Sequence, residues 1–522
     1  MASSELPVPT VVNPWTKQSL LELIANRLQN VKFIVVSNRE PYIHKRTGGQ
    51  IRCVQPASGL ASALDPVMRA CGGTWVAHGS GDADREVTGR SGRIKVPPES
   101  PSYTLRRVWL SKEQEQEYYY GLANEGLWPL CHVAFHRPHF IQKNWETYRR
   151  VNQIFADVVL EEAGGDPAFV FIQDYHFGLL PRMLKNQAPN LHIAQFWHIP
   201  WPNRETFRAF PWKEELLDGM LGNDLLGFHL RYHCANFLDT VDRNIEARIE
   251  HEHNDVTRGG KTTMVRPFPI SIDFDWHESM ARSPEMDSLM GFWRKEIGTM
   301  PECLGIGIDR VDYTKGIPER LQALDMFFED HPEYRGRVGF VQVGVPSRTQ
   351  ISDYQRLNDE IEQEAARLNE KWGRDGYAPI HLFRGEYSQM QLTALHRLAD
   401  FCMVSPLHDG MNLVAKEFVA SRFDEHGVLI LSSFAGASRE LTDALLVNPF
   451  SIDEMADAIF RAVSMPGAEA TKRMQRLRSA TAENNIYRWA GKILLTLLKI
   501  ESSAPEPEPA PNWEWEGVSV PF

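Results

Sequence analysis

Short apolar segments alternate with longer amphipathic segments along most of this chain, and this alternation constrains the fold more than any other feature. The short segments are apolar on both faces, as strands covered by helices on both sides must be. Amphipathic stretches such as residues 318–332 and 352–373 separate several of them. Strand–helix–strand alternation predicts an α/β fold with parallel sheets. The predicted strands are residues 32–37, 169–174, 193–198, 304–309, 338–343, 401–406, 428–433 and 444–449.

The alternating pattern occurs twice, over residues 31–230 and 303–450, which predicts two domains in a chain of 522 residues. Residues 248–263 are polar and poorly periodic, so we expect a surface loop there, with the domain boundary just after it, near residue 267. Parallel sheets that face each other bind ligands in the cleft at the carboxyl ends of their strands.

The acidic balance of the chain restricts its partners. It has 56 Lys and Arg against 68 Asp and Glu, a formal net charge of −12, so nucleic acid and anionic membranes are not expected partners. An anionic substrate would need local basic residues. Six scattered cysteines without a C-x-x-C pair, and the lack of a visible secretory signal, predict a cytoplasmic location. No apolar stretch approaches the roughly 18–20 residues of a membrane helix.

The segment PLHDGMNLVAKEF, residues 406–418, is the strongest chemical motif because it joins a predicted strand to a helix N-terminus. Asp409 lies at the strand end, where a sugar hydroxyl would be, and Glu417 can accept bonds from two vicinal ribose hydroxyls. Free backbone N–H groups at the helix start can bind phosphate oxygens. They belong to Gly410, Met411 and Asn412. An ordinary N-capped helix after an Asp-Gly turn explains the local pattern equally well.

A second motif, GIDRVDYTKGIPERL, residues 307–321, places Arg310 and Lys315 just after a predicted strand. Two cations there suit a diphosphate whose leaving charge must be stabilised, although a solvated loop with surface charges is the competing interpretation. Arg310 stands where the third glycine of a dinucleotide fingerprint belongs, which excludes an NAD site.

Other polar residues follow strands of the first half, and together they indicate a functional edge of the sheet. These residues are Arg39, Asp174, His176 and His198. A lone strand-end histidine is usually structural. His251 and His253 lie in the expected loop, where we favour a solvated surface over a metal site. No Asp-x-Asp motif appears near a strand end, so no metal is predicted.

Six segments taken together resemble the trehalose-6-phosphate synthase family. They are YYYGLANEGLWP, DYHFGLLP, HIPWP, RVDYTKGIPERL, HDGMNLVAKEF and SSFAGASREL, and the match covers roughly residues 31–500. The resemblance implies a GT-B fold: an acceptor-binding Rossmann-like domain over residues 1–266 and a nucleotide-sugar-binding one over 267–484. A helix over about 485–502 would return to the first domain, and the Pro- and Glu-rich residues 503–522 predict a disordered tail.

The family's reaction implies the substrates. Glucose would move from a nucleoside-diphosphate-glucose, commonly UDP-glucose, to glucose 6-phosphate, giving trehalose 6-phosphate with retention of configuration. Neither a metal nor a cofactor is implied. The expected partners are therefore these small molecules, and a homo-oligomer is left open.

The resemblance also implies roles for individual residues. Arg310 and Lys315 would neutralise the diphosphate, Asp409 would bind the transferred glucose, and His198 would lie near the reacting carbon; these four are the expected catalytic residues. Further donor contacts are implied for Gly410, Met411, Asn412, Leu413, Val414 and Glu417. Acceptor contacts are implied for Arg39, Tyr119, Trp128, Asp174 and Arg348, with the two arginines on the phosphate.

The chain departs from the family pattern at several positions. Ser58, His78 and Ser271 replace the usual glycine, tryptophan and glycine, and His408 stands where arginine is usual. His78 and the altered loop around it, residues 77–82, fall on the acceptor side. They keep open a related transferase with another phosphorylated acceptor, such as a glucosylglycerol-phosphate synthase or a pseudo-glycosyltransferase. A catalytically silent sugar-phosphate sensor is the third alternative, whereas Arg348 favours the synthase.

Overall fold

Two parallel sheets organise the computed structural model, which describes residues 15–27, 31–55, 59–374 and 376–503. The predicted tail therefore lies outside the described residues except for Ser503, and Ser58 lies outside them as well. The α/β fold class expected from the strand–helix alternation is confirmed.

The first half of the chain forms a ten-stranded sheet and a separate two-stranded hairpin. Its strands are β1 (Lys32–Arg39), β2 (Ile43–Thr47), β3 (Gln50–Val54), β4 (Thr74–His78), β5 (Arg93–Val96), β6 (Tyr103–Val108), β7 (Ala168–Gln173), β8 (His192–Phe196), β9 (Leu225–Phe228), β10 (Arg248–Glu250), β11 (Asp255–Arg258) and β12 (Lys261–Pro267). The order is β10-β11-β12-β9-β8-β7-β1-β4-β6-β5, and β2 pairs with β3. The central strands are parallel, while β5, β10 and β11 add antiparallel edges.

The surface loop expected over residues 248–263 is wrong, because this segment forms β10, β11 and the start of β12. Most of its side chains are exposed or half-buried, so the segment lacks the apolar run of a central strand. Val256 and Thr263 are buried and anchor the extension to the sheet.

The second sheet has six strands, all parallel. They are β13 (Cys303–Arg310), β14 (Val338–Val345), β15 (Ile380–Arg384), β16 (Phe401–Val404), β17 (Val428–Ser432) and β18 (Leu445–Val447), in the order β15-β14-β13-β16-β17-β18. Apart from the β2–β3 hairpin, the described strands through Pro267 thus belong to one sheet and those from Cys303 to the other. The domain limits themselves stay a prediction.

Helices cover both sheets. They are α1 (Lys17–Arg27), α2 (Gly59–Cys71), α3 (Asp84–Thr88), α4 (Lys112–Glu115), α5 (Trp128–His132), α6 (Gln142–Ala163), α7 (Leu180–Gln187), α8 (Arg204–Phe207), α9 (Lys213–Met220), α10 (Arg231–Asn244), α11 (Phe274–Ala281), α12 (Met286–Ile297), α13 (Ile317–Asp330), α14 (Ser352–Trp372), α15 (Gln389–Leu398), α16 (Leu413–Ser421), α17 (Ile452–Ser464), α18 (Gly467–Glu483) and α19 (Ile486–Ser503), with a π-helix at Gln116–Leu127. None of the helices in the described ranges is both long and apolar enough to span a bilayer.

The last helix, α19, contacts the first sheet although it follows the second sheet in the chain. The Trp489 ring lies 5.7 Å from the ring of Phe171 in β7 and 5.2 Å from that of Phe196 in β8. The backbone N–H of Ile486 donates to the Ile272 carbonyl at 2.9 Å, in the segment that joins the two sheets. This helix therefore ties the end of the chain back to the first half.

Candidate active site

Side chains from the two sheets meet at the carboxyl ends of the strands. Arg39 is the last residue of β1, and Asp174 and His198 follow β7 and β8. Arg310 is the last residue of β13, and Arg348 follows β14. Parallel strands place all their carboxyl ends at one edge, so residues far apart in sequence become neighbours there.

Trp128 joins the two halves of this site. Its indole Nε1 donates to Oδ1 of Asp312 at 3.4 Å. The guanidinium carbons of Arg348 and Arg310 lie 4.0 Å and 5.7 Å from its ring centroid. A tryptophan at the start of α5, in the first half, thus contacts two cations of the second half.

Tyr119, on the π-helix, lies among three arginines. The Arg39 Nη2 donates to its hydroxyl at 3.0 Å. Burial alone would raise the pKa of Tyr119, but the charges of Arg39, Arg348 and Arg310 outweigh it and lower that pKa to about 7. The Tyr119 oxygen in turn is the main cause of a raised pKa at Arg39. π-Helices are rare and often occur at functional sites.

The charges in this cleft do not balance. Two of its four cations are paired with carboxylates, Arg348 with Asp312 at 2.9 Å and Lys315 with Asp409. Among the described residues, Arg39 and Arg310 have no carboxylate partner. Burial, together with repulsion from Arg348 and Arg39, lowers the pKa of Arg310. The cleft therefore carries unpaired positive charge in a protein that is acidic overall.

Lys315 and Asp409 bring two separate motifs together. Lys315 ends a 3₁₀ turn, Tyr313–Lys315, and its Nζ donates to Oδ2 of Asp409. Burial would raise the pKa of Asp409, but the Lys315 charge overcomes that effect and lowers it. Asn412, at φ 74°, donates to the same carboxylate oxygen at 3.4 Å, and its own Oδ1 is buried without a partner among the described residues.

Gly410 allows the start of α16 to approach the first sheet. A Cβ built on this residue would lie only 2.2 Å from the carbonyl oxygen of His198. Any larger residue would therefore push the helix N-terminus away from β8. Met411 is buried beside it, and Leu413 and Val414 are half-buried in the first turn of α16.

His198 is held neutral and fixed by its neighbours. Its Nε2 lies 2.8 Å from Oε1 of Gln173, and its backbone N–H donates to Oδ1 of Asp174 at 3.1 Å. Burial lowers the pKa of His198 to about 3. Burial also raises the pKa of Asp174 to about 7, against the hydrogen bonds from the backbone N–H groups of Tyr175 and His198.

The Glu417 side chain makes no hydrogen bond or ion pair with another predicted residue in the described part of the chain. It lies further along α16, and Gln389 Nε2 donates to it at 3.4 Å. Burial raises the pKa of its carboxyl to about 7. It lies one helical turn beyond the residues at the start of α16 that the sequence predicts to bind phosphate.

The departures from the family pattern have separate surroundings. His78 ends β4, where its Nδ1 lies 3.2 Å from the Val108 carbonyl. His408 joins the two halves: its Nδ1 lies 2.7 Å from the His132 carbonyl and its Nε2 lies 3.1 Å from the Tyr232 hydroxyl. The histidine thus makes a neutral contact where the family pattern has a permanent charge.

Sequence reasoning missed the residues that arrange the predicted ones. Asp312 binds Arg348 and Trp128, Gln173 contacts His198, and Tyr354 donates to Asp312. Asp312 lies between Arg310 and Lys315 in the motif of residues 307–321. This position is the one signal for Asp312 in the sequence. A separate group, Glu250, Glu252 and His253, places possible metal-ligand atoms within 4.8 Å of one another. It shares no residue with the cleft.

Comparisons with known proteins show which family the chain resembles. The family model for glycosyltransferase family 20 matches residues 31–499. The trehalose-6-phosphate synthase of Mycolicibacterium smegmatis is 36% identical over 471 residues, covering 88% of this chain and 91% of that protein.

Solved structures share the fold of this chain. A UDP-forming alpha,alpha-trehalose-phosphate synthase from Burkholderia xenovorans, in complex with glucose-6-phosphate, aligns with a TM-score of 0.79 and 29% identity over 89% of this chain and 99% of that one. A structure from E. coli bound with UDP-2-fluoro glucose aligns with a TM-score of 0.78 and 31% identity over 90% and 99%.

Proposed function

The chain belongs to glycosyltransferase family 20, the trehalose-6-phosphate synthases with the GT-B fold, and from this we propose that it transfers glucose from UDP-glucose to glucose 6-phosphate. The products are trehalose 6-phosphate and UDP, with retention of configuration at the transferred carbon. The relatives solved with glucose-6-phosphate and with UDP-2-fluoro glucose support both substrates.

One observation carries the proposal: two guanidinium groups from opposite sheets, those of Arg39 and Arg310, enter one cleft without carboxylate partners among the described residues. Desolvated positive charges are costly unless an anion compensates them. A reaction between a nucleoside diphosphate sugar and a sugar phosphate brings anions to both sides.

On the donor side, Arg310 and Lys315 bind the diphosphate and stabilise the charge that develops as it leaves. The backbone N–H groups at the start of α16 add partial positive charge. Asp409 binds the transferred glucose, and Glu417 binds the ribose. Because fixed cations neutralise the leaving group, we propose that no metal is needed.

On the acceptor side, Arg39 and Arg348 bind the phosphate of glucose 6-phosphate. Two guanidinium forks match phosphate geometry better than lysines would. Tyr119 and Trp128 form the wall between these arginines and the donor side. Asp174 binds a sugar hydroxyl beside His198.

The chemical step needs no nucleophile from the protein. The bond between the glucose C1 and the β-phosphate oxygen breaks, and a bond forms between C1 and the acceptor's anomeric oxygen. The proton of that acceptor hydroxyl passes to the departing phosphate oxygen on the same face. Neutral His198 orients the donor sugar, so the protein acts by positioning and charge stabilisation.

The test is product identification with purified protein. UDP-, ADP- and GDP-glucose are each incubated with glucose 6-phosphate, glycerol 3-phosphate or fructose 6-phosphate, and products are analysed by mass and NMR. We expect UDP release and an α,α-linked disaccharide phosphate only with glucose 6-phosphate. Turnover of another acceptor instead would favour the related transferases. Ligand binding without release of any nucleoside diphosphate would favour a sensor and overturn the proposal.

A further inference from the structure

One fully buried carboxylate, that of Asp312, contacts both the donor-side and the acceptor-side groups of the cleft. It lies between Arg310 and Lys315 in the chain, at the start of the 3₁₀ turn Tyr313–Lys315. The roles proposed above give it no task. Its Oδ1 contacts the donor-side turn and the Trp128 indole, and its Oδ2 contacts the acceptor-side Arg348.

Its Oδ1 holds the donor-side turn. That oxygen accepts the backbone N–H of Thr314 at 3.0 Å and the Thr314 hydroxyl at 2.8 Å. The turn ends at Lys315, whose ammonium group pairs with Asp409. A shift of Asp312 therefore moves the segment that aims Lys315 at the diphosphate.

Its Oδ2 holds the acceptor-side arginine. It accepts from Nη1 of Arg348 at 2.9 Å and from the Tyr354 hydroxyl at 3.0 Å. The same guanidinium lies over the Trp128 ring, and its Nη2 is 3.4 Å from the Tyr175 hydroxyl. Arg348 Nε is buried and has no partner among the described residues, so this cation keeps a free donor for an anion.

The carboxylate stays ionised in this environment. Burial would raise the pKa of Asp312, but the charges of Arg348, Arg310 and Lys315 hold it well below its usual range. A phosphate bound at the free Nε of Arg348 draws on the same guanidinium charge that holds Oδ2 of Asp312. The negative charge of the carboxylate then shifts toward Oδ1, which strengthens its bonds to the Thr314 turn and the placement of Lys315.

We propose that Asp312 is a positioning residue that couples the two substrates: acceptor phosphate at Arg348 tightens donor binding at Lys315 through this shared carboxylate. The inference rests on the proposed function, since it takes the two ligands from it. Coupling between binding sites is reciprocal, so the donor's diphosphate must tighten acceptor binding by the same factor.

The test compares Asp312→Asn with Asp309→Asn as a matched control. Asp309 is also a buried carboxylate paired with an arginine, Arg320, at 2.8 Å. The charges of Lys315 and Asp409 reach it, but its side chain makes no hydrogen bond to the site residues among the described residues. General damage from losing a buried carboxylate should therefore affect both variants. UDP dissociation constants are measured by calorimetry with and without saturating glucose 6-phosphate.

We expect the acceptor to tighten UDP binding about tenfold in the wild type and in Asp309→Asn, within the usual range of coupling factors. In Asp312→Asn the ratio should fall to about one, and the KM for glucose 6-phosphate should rise more than the KM for UDP-glucose. A ratio near one in the wild type, or an unchanged ratio in Asp312→Asn, would overturn the inference.

Milder variants keep the test decisive if Asp312→Asn folds poorly. Thr314→Val removes one hydrogen bond from Oδ1, and Tyr354→Phe removes one from Oδ2. Each should lower the coupling ratio severalfold, and a wild-type ratio in both would contradict the proposal. Turnover by the wild type distinguishes the proposed function from the coupling through Asp312. Product formation without coupling would overturn only the coupling. Absence of both turnover and ligand binding sinks the proposed function, and this inference falls with it.

Discussion

Replacing Arg310 with alanine should abolish most turnover while leaving the fold almost as stable as before. Among the described residues its guanidinium has no carboxylate partner, and its one cation–π contact, with Trp128, is long at 5.7 Å. Such a contact contributes about 0.5–1 kcal/mol. Against that loss, the variant relieves burial of a charge and repulsion from Arg348 and Arg39. The free energy of unfolding should therefore change by less than about 1 kcal/mol, a small shift in Tm for a chain of this size.

The effect on catalysis should be far larger. Removing one preorganised group that stabilises developing negative charge typically lowers kcat by about 10²–10³, or about 2.7–4 kcal/mol of the barrier. The assay is UDP release at saturating substrates, together with thermal unfolding of the same preparations. Arg310→Lys should keep part of the activity, because it retains the charge but loses the planar fork.

Arg320→Ala is the matched control for this experiment. Arg320 is a buried arginine of α13, in the same half of the chain, but it donates to Asp309, Gln342 and Ser405. Breaking such a buried pair costs about 3–5 kcal/mol. Arg310→Ala should therefore lose turnover but little stability, whereas Arg320→Ala should lose stability. The reasoning fails if Arg310→Ala is as destabilised as Arg320→Ala, or if it retains turnover within a few-fold of the wild type.

Three further predictions concern groups around the cleft. Burial raises the pKa of Glu417 from 4.5 to about 7, so the stability that its protonated form contributes is complete below pH 4.5 and is lost as pH rises through 7. Glu417→Gln should gain stability relative to the wild type over that window in pH-dependent unfolding. The UDP affinity of the wild type should rise as Glu417 ionises near pH 7, and the affinity of Glu417→Gln should not. Parallel pH profiles for the two proteins would contradict this prediction. His408→Ala removes two hydrogen bonds between the halves, so it should lower the free energy of unfolding by about 1–2 kcal/mol in thermal melts. Tyr232→Phe removes one of them and should lower it by less. Unchanged melts would show that these bonds contribute nothing. Lys416→Met should lower the free energy of unfolding by about 3–5 kcal/mol in denaturant, because it leaves the Glu440 charge uncompensated. Adding Glu440→Gln should recover part of that loss. A double variant no more stable than Lys416→Met would exclude this cause.

Most central strands could be predicted because burial under two helical layers requires an apolar run, although the short buried strands β4 and β9 were missed. Every predicted strand coincides with an observed one to within two residues. β6 was missed because its sequence, Tyr103–Val108, contains Arg106 and Arg107. Arg107 is fully buried only because Glu40 and Asp84 neutralise it, and both are distant in sequence. The extension β10–β12 also lacks an apolar run, but for a different reason: it is an edge exposed to solvent, and such an edge needs none.

The sequence placed the site residues but not their pairings. Strand ends and a helix start identify Arg310 and Asp409 as residues of one edge, whereas Arg348 came only from the family resemblance. Nothing in the sequence shows that Lys315 pairs with Asp409, 94 residues away, or Arg348 with Asp312, 36 residues away. These pairings decide which cations remain free for substrate. They depend on loop geometry that only the folded chain defines.

A crystal structure of the protein with UDP and glucose 6-phosphate bound together tests the central claim most directly. That claim is that unpaired guanidinium groups of the two halves receive the anions of two substrates across one cleft. We predict diphosphate oxygens within about 3 Å of Arg310 and the acceptor phosphate within the same hydrogen-bond distance of Arg39. Phosphates bound elsewhere, with both guanidinium groups left without an anion, would contradict the account.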